Sequence, residues 1–171
     1  ILLTERTIKP GDILEVEKRV VRVTRMGLRA TVARTRDDQD LIIPNSILVQ
    51  STVTNFTLRD SIFRLRAIVC VSYDSDLTLV IRVLRETASS MEGRLADRDP
   101  RVLLTDFADS AVVLEVAVWS EDPWHARVSK SALYEAIWWA FKRASIVIAY
   151  PQLDVHVIRP STPAEDQPDE S

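Results

Sequence analysis

The sequence predicts an α+β chain of two modules, a small five-stranded β-barrel followed by a ferredoxin-like βαββαβ unit with a strand at its end. Three observations predict it. Between Lys9 and Asn55 the apolar residues alternate with polar ones at period two, in runs too short for helices. After residue 74 two stretches repeat apolar residues every three or four positions, as one buried helix stripe does. Between and around those stretches lie strand-like runs in the order strand, helix, strand, strand, helix, strand.

The elements follow in order. Pro10-Gly11-Asp12 marks a turn ahead of Ile13-Leu14-Glu15-Val16, and Val21 to Arg25 then Arg29 to Arg34 alternate apolar with polar. Arg36-Asp37-Asp38-Gln39 is a polar hairpin tip before Leu41-Ile42-Ile43. Pro44-Asn45-Ser46 stops that strand, because Pro removes a ladder donor and Asn and Ser satisfy nearby backbone groups. Ile47-Leu48-Val49 and Thr52 to Asn55 read as further strand. So many short strands in under fifty residues predict a bent barrel rather than a flat sheet.

The second module starts with a strand from Phe63 to Tyr73. Asp74-Ser75-Asp76 then offers N-cap side chains to a helix whose stripe is Leu77, Val80, Ile81, Leu84, Ala88 and Met91. Val102 to Phe107 and Ala111 to Trp119 are two strands joined at Ala108-Asp109-Ser110, with Val112, Leu114, Val116 and Val118 on one face. Asp122-Pro123 predicts a helix start, with Asp capping and Pro in the first turn. That helix runs to about Ala144, with Leu133, Ala136, Ile137, Ala140, Phe141 and Ala144 on its buried face. Ile146-Val147-Ile148 predicts the returning strand, and Tyr150-Pro151 bends the chain into a last strand at about 153–158.

With 3 glycines in 171 residues, other side chains must take up most of the left-handed backbone positions that turns require, and Asn and Asp are the expected substitutes. The net charge of -3 argues against nucleic acid as the main partner. Residues 160–171 hold four acids and no bases; without them 22 basic side chains face 21 acidic ones, a net of +1. This tail is expected to be disordered. Cys70, the single cysteine, lies in an apolar run and is expected to be a buried, inert thiol.

The sequence also excludes much chemistry. His125 and His156 are the only histidines and no Cys or His spacing suits a metal, so neither metal nor cofactor is expected. Ser110, Asp109 and His125 have the residue types of a hydrolytic triad but no nucleophile-elbow context, and no enzyme activity is expected. Trp124, Trp138 and Trp139 read as core or subunit contact. Arg19, Arg22, Arg25, Arg29, Arg34 and Arg36 read as a solvated barrel surface, with anionic lipid or an ion path as the sharper alternative. No stretch approaches the ~20 apolar residues of a membrane span, and a chain starting with Ile rather than Met is expected to be a fragment.

Six strings, in order, carry a resemblance: Lys9-Pro10-Gly11-Asp12; Ile42-Ile43-Pro44-Asn45-Ser46; Thr54-Asn55-Phe56-Thr57; Val71-Ser72-Tyr73-Asp74-Ser75-Asp76; Phe107-Ala108-Asp109-Ser110; and Tyr150-Pro151-Gln152-Leu153-Asp154-Val155-His156. Together they resemble the small-conductance mechanosensitive channel (MscS) family in its region after the pore-lining helix, over about Glu5 to Ile158. The resemblance implies a stub at 1–8 following that helix, an Sm-like β domain at 9–58 and a ferredoxin-like domain at 59–159. It also implies a homo-oligomer of seven subunits enclosing a cytoplasmic vestibule, and a cell-membrane location through helices not in this sequence. Such a channel opens under membrane tension and releases ions and osmolytes on osmotic downshock.

The residues expected at the subunit interface are Pro44, Asn45, Ser46, Tyr150, Pro151, Gln152, Asp154, Val155 and Val157. The chain departs from the family pattern at Val20 and Val21, where glycines are common, at Ser145, often Gly, and at Ala149, often Pro. A nucleic-acid-binding module and a small-molecule regulatory domain remain as alternatives from other classes. Lack of an RNP-type aromatic strand counts against the first.

Overall fold

A computed structural model describes residues 7–157. The first module is a five-stranded antiparallel sheet in the order β4-β3-β2-β1-β5, with β1 Ile13–Val16, β2 Arg19–Met26, β3 Ala30–Thr35, β4 Asp40–Pro44 and β5 Thr54–Asn55. A register shift between Val23 and Arg25 marks a bulge in β2. Its core is Leu14, Val16, Val21, Val23, Ala33, Ile43 and Leu48, with Ile8 packed among them. The inward positions of β2 and β3 are the alternate residues that period two selects.

Turn chemistry sets the register. Asp12 N–H donates to Lys9 O at 3.1 Å across Pro10 and Gly11, and Gly11 has φ +93°. Pro followed by a positive-φ Gly is the arrangement of a type II turn. The β1–β2 hairpin is tighter, with Glu17 at φ 49° and Lys18 at φ 65°. Both central residues are left-handed, as a type I′ turn requires. The other non-glycine residues at positive φ are Asp38 and Ser145 among the described residues, so only one of the four is an Asp and none is an Asn.

One segment differs from expectation. Ile47-Leu48-Val49 is not strand but lies in a short helix, α1, at Asn45–Gln50. Leu48 alone is buried, and α1 carries the chain from the β4 end of the sheet towards β5. Pro44 supplies the extended backbone before the first turn. Three apolar residues in a row fit a helix turn as well as a strand.

The second module is a three-stranded antiparallel sheet, β6-β8-β7, with β6 Phe63–Val71, β7 Arg101–Ala108 and β8 Ala111–Ser120. Helices α2, Leu77–Ser89, and α3, Ala126–Arg143, bury their stripes against β6 and β8. Val112, Leu114, Val116 and Val118 are all buried, facing Val80, Leu84, Leu133, Ile137 and Phe141. Asp76 caps α2: its Oδ1 accepts from Thr78 N–H at 2.8 Å and Leu79 N–H at 3.2 Å. The tight link at Asp109-Ser110 joins Ala108 opposite Ala111.

The start of α3 is displaced from the expected Asp122-Pro123 to Ala126, with His125 at the cap position. The Asp122 carboxylate accepts from His125 N–H at 3.1 Å and so closes a turn before the helix rather than the helix itself. Pro123 O, which a helix starting there would use, accepts instead from Arg36 Nη2 at 2.7 Å.

At its other end α3 closes with a Schellman motif. Ile146 N–H donates to Phe141 O at 2.9 Å and Ser145 N–H to Lys142 O at 3.3 Å, with Ser145 at φ 56°. Ile146 is buried against the core, which is the hydrophobic contact that accompanies the motif.

Ile146-Val147-Ile148, expected as the returning strand, is reduced to a single bridge between Ile148 and Val71, flanked by Ser72 N–H to Val147 O at 3.1 Å and Ala149 N–H to Cys70 O at 3.0 Å. With that bridge at the outer edge of β6 the order is that of a ferredoxin-like βαββαβ unit. Cys70 is half-buried rather than buried, because its strand lies at that thinly covered edge.

Candidate assembly surface and domain joint

The edge of β6 is the first notable surface. The one bridge covers only its end, and further along Ile68 N–H donates to the Tyr134 hydroxyl at 3.0 Å, a side chain doing what a strand carbonyl would do. Around this edge Ile68, Tyr134, Trp138, Val147, Ile148 and Tyr150 are all exposed apolar side chains. They line two adjoining grooves beside α3. Lys142 Nζ lies 4.8 Å from the Trp138 ring centroid, screening part of that surface.

Beyond Ala149 the chain leaves its own sheet. Gln152 N–H donates to Ser110 Oγ at 3.3 Å, and no ladder partner follows through residue 157 among the described residues. Leu153, Val155 and Val157 are 90%, 78% and 79% exposed. Large apolar side chains this bare are unusual unless another surface covers them. Ile158 and the acidic stretch 160–171 lie outside the described residues, as do residues 1–6.

The expected interface residues fall into two groups that share no hydrogen bond. Tyr150, Pro151, Gln152, Asp154, Val155 and Val157 are all exposed on the departing segment. Pro44 and Ser46 are exposed on the first module, but Asn45 works inward. Its Nδ2 donates to Gly27 O at 3.0 Å and Leu28 O at 3.2 Å, and its Oδ1 accepts from Thr31 Oγ1 at 2.8 Å. Asn45 thus pins the β2–β3 turn, where a Cβ on Gly27 would lie 2.8 Å from Ala30 O.

The strings near the two ends of the first module also meet. Buried Asp12 accepts from Lys9 N–H and Asn55 Nδ2, both at 3.0 Å, and its Oδ1 lies 3.1 Å from Thr57 Oγ1. Thr57 Oγ1 in turn accepts from Ile13 N–H at 3.1 Å.

A site that sequence reasoning did not find lies where the modules touch. The Arg22 guanidinium sits 4.4 Å from the Trp124 ring centroid and that of Arg36 sits 6.0 Å away. With the Arg36–Pro123 hydrogen bond, these contacts fasten the first module to the turn before α3. Burial lowers the Arg36 pKa, as does the charge of Arg127, against the opposing pull of Asp122 and Glu15. Burial acts to raise the Asp122 carboxyl, but hydrogen bonds from the His125 ring, at 2.7 Å, and backbone outweigh it and hold the pKa below its ordinary value.

Of the six arginines noted in the first module, Arg22 and Arg36 therefore serve the joint, and Arg34 pairs with Asp38 and Asp40. The histidine of the discounted triad lies far from its other two residues. Ser110 and His125 flank opposite ends of β8, whose ten residues span about 30 Å.

Comparison with known proteins agrees in every direction. The family model described as "Mechanosensitive ion channel, beta-domain" matches residues 1–58, and "Mechanosensitive ion channel MscS, C-terminal" matches residues 65–148. An uncharacterized MscS family protein of Haemophilus influenzae is 33% identical over 157 residues, covering 92% of this chain and 14% of its own length. The small-conductance mechanosensitive channel of Edwardsiella ictaluri is 28% identical over 163 residues, covering 92% of this chain and 54% of its own. The closed-state crystal structure of Helicobacter pylori MscS superimposes with a TM-score of 0.80 at 26% identity, over 93% of this chain and 62% of that one. The chain thus spans between about a seventh and about three fifths of these proteins.

Proposed function

Because this chain belongs to the MscS family of mechanosensitive ion channels, we propose that it forms the vestibule beneath the pore of such a channel, in a homo-oligomer on the cytoplasmic side of the cell membrane. In this reading the chain assembles the ring, a heptamer, and its inner surface filters the ions and small osmolytes that pass. The tension-sensing span belongs elsewhere: no helix among the described residues is long and apolar enough to cross a membrane. Opening on osmotic downshock is the activity of the whole channel, to which this part contributes architecture rather than chemistry.

The observation that carries the reading is the segment 150–157, apolar at Leu153, Val155 and Val157 and without a partner strand in its own described chain. A strand edge or apolar ribbon left this open calls for another copy. Copies related by a ring axis would pair these segments with one another, and the half-covered edge of β6 offers a further contact. Arg19, Arg25 and Arg29, exposed and without ion pairs among the described residues, are the side chains left to face lipid headgroups or the permeation path.

The test is electrical. The full-length protein reconstituted in liposomes and held in an excised patch is expected to pass current only when suction stretches the membrane. Tension-independent silence, with correctly inserted protein, would overturn the proposal. Val155→Asp with Val157→Asp is expected to reduce assembly of the same protein, read by light scattering in detergent.

A further inference from the structure

Three arginines converge on the domain joint, and none of them forms an ion pair there among the described residues. Arg22 and Arg36 lie against Trp124, and Arg127 opens α3 beside them. None of the three has a carboxylate within 4.0 Å among the described residues, where the ion pairs formed involve Arg34, Arg66 and His125. Nε of Arg36 is shielded from solvent and has no hydrogen-bond acceptor among the described residues, although such a donor ordinarily finds one. Arg36 and Arg127 also repel each other, and bringing two guanidinium groups together without an anion is unfavourable.

The same place is indented by an open cleft. Arg36, Arg127, Trp124, His125, Asp37 and Ser131 line a cleft of about 520 Å³, within the ordinary span of about 300–1,000 Å³ for small-ligand sites. Its nearby carboxylates are few. Asp122 is already bound to His125, Glu15 attracts Arg36 without an ion pair among the described residues, and Asp37 carries the one acidic side chain among the residues on the lining. The first turn of α3 has no side-chain cap among the described residues, so its N–H groups add positive potential at the mouth.

We propose that this cleft binds a small anion bearing a carboxylate or phosphate group, held between Arg36 of the first module and Arg127 of the second and seated against the Trp124 ring. Guanidinium forks favour planar, bidentate oxyanions, and the aromatic ring offers a flat apolar wall for the rest of the ligand. An anion so placed ties the two modules together through charges on both sides of the joint, and so its binding stiffens the angle between them. The site is built from one chain and does not rest on the channel reading, so failure of either leaves the other standing.

The experiment is isothermal titration of this 171-residue chain with sodium phosphate and, separately, sodium succinate, each at ionic strength matched with sodium chloride. One saturable site per chain is expected for at least one of the two, and the arm that binds identifies the oxyanion. Arg36→Gln and Arg127→Gln should each weaken binding about tenfold or more, the scale of a lost charge-assisted hydrogen bond. Arg85→Gln, on the exposed face of α2, should leave it unchanged. Arg127 is exposed, so its variant decides the matter should Arg36→Gln fail to fold. Heats of dilution alone in both titrations would overturn the proposal, as would undiminished binding by Arg127→Gln. Heats that appear only as the chain self-associates would overturn it too, in favour of a carboxylate from a second copy.

Discussion

Asp12 and Thr57 approach to 3.1 Å, although 45 positions separate them in the sequence. Their contact closes the first module on itself. Lys9 N–H and Asn55 Nδ2 complete the carboxylate's set of donors, and the whole group lies at the point where the chain enters and leaves the sheet. Asp12→Ala would strand these donors at a position where the residue is 3% exposed. It should cost about 3 kcal/mol of stability, from hydrogen bonds to a buried charge lost together. Urea denaturation of the first module, followed by circular dichroism, checks this. Asp12→Asn should cost less, because its amide can turn its oxygen to Lys9 N–H and Asn55 Nδ2 and its NH2 to Thr57 Oγ1.

Ser145 holds a left-handed backbone where most chains would place glycine. Ser145→Gly should raise stability by about 1 kcal/mol by relieving the Cβ strain in the Schellman motif. Ser145→Val should lower it by at least as much, since a β-branched residue tolerates that conformation least. Paired thermal melts of the two variants give opposite shifts if the strain is real.

The β1–β2 turn carries the same strain twice, at Glu17 and Lys18. Glu17→Asn with Lys18→Gly installs the pair that a type I′ turn prefers and should add about 1 kcal/mol. The gain should appear in the unfolding midpoint of the first module while the second is unmoved.

The carboxyl of Asp122 has a folded pKa below its ordinary value of 3.8. A group depressed on folding contributes stability above its unfolded pKa and loses it as pH falls through the folded value. Wild type should therefore exceed Asp122→Asn in melting temperature near pH 6, and the gap should close as pH drops below 3.8. The effect will be small and reduced by salt, because both Asp122 and His125 side chains are more than half exposed. A gap that widens in acid would contradict the assignment.

How far the sequence could be read depended on the range of the interaction involved. Local patterns carried well: the Asp76 cap, the Leu77 to Ala88 stripe and the alternation along β8 each depend on neighbours a few residues away. The short run Ile47-Leu48-Val49 failed because three apolar residues have no period, and the path from β4 to β5 decided its shape. Asp122-Pro123 had the chemistry of a helix start, but an arginine 87 positions earlier takes the Pro123 carbonyl. Nothing near either residue announces that bond. The domain joint was hidden for the same reason: in sequence Arg22 and Arg36 read as solvated surface and Trp124 as core or subunit contact, and only the fold brings them face to face. Of the expected interface, Asn45 had a local duty that its place after a strand-stopping proline only hinted at.

The two modules keep separate cores. No side chain buried around Leu14 and Val21 is shared with those around Leu114 and Phe141. Each core should therefore melt as its own cooperative unit, and a calorimetric scan should resolve two endotherms, the smaller from the first module. A ring of such chains would then consist of two tiers whose heat resistance can be tuned independently, one by turn chemistry and one by helix packing.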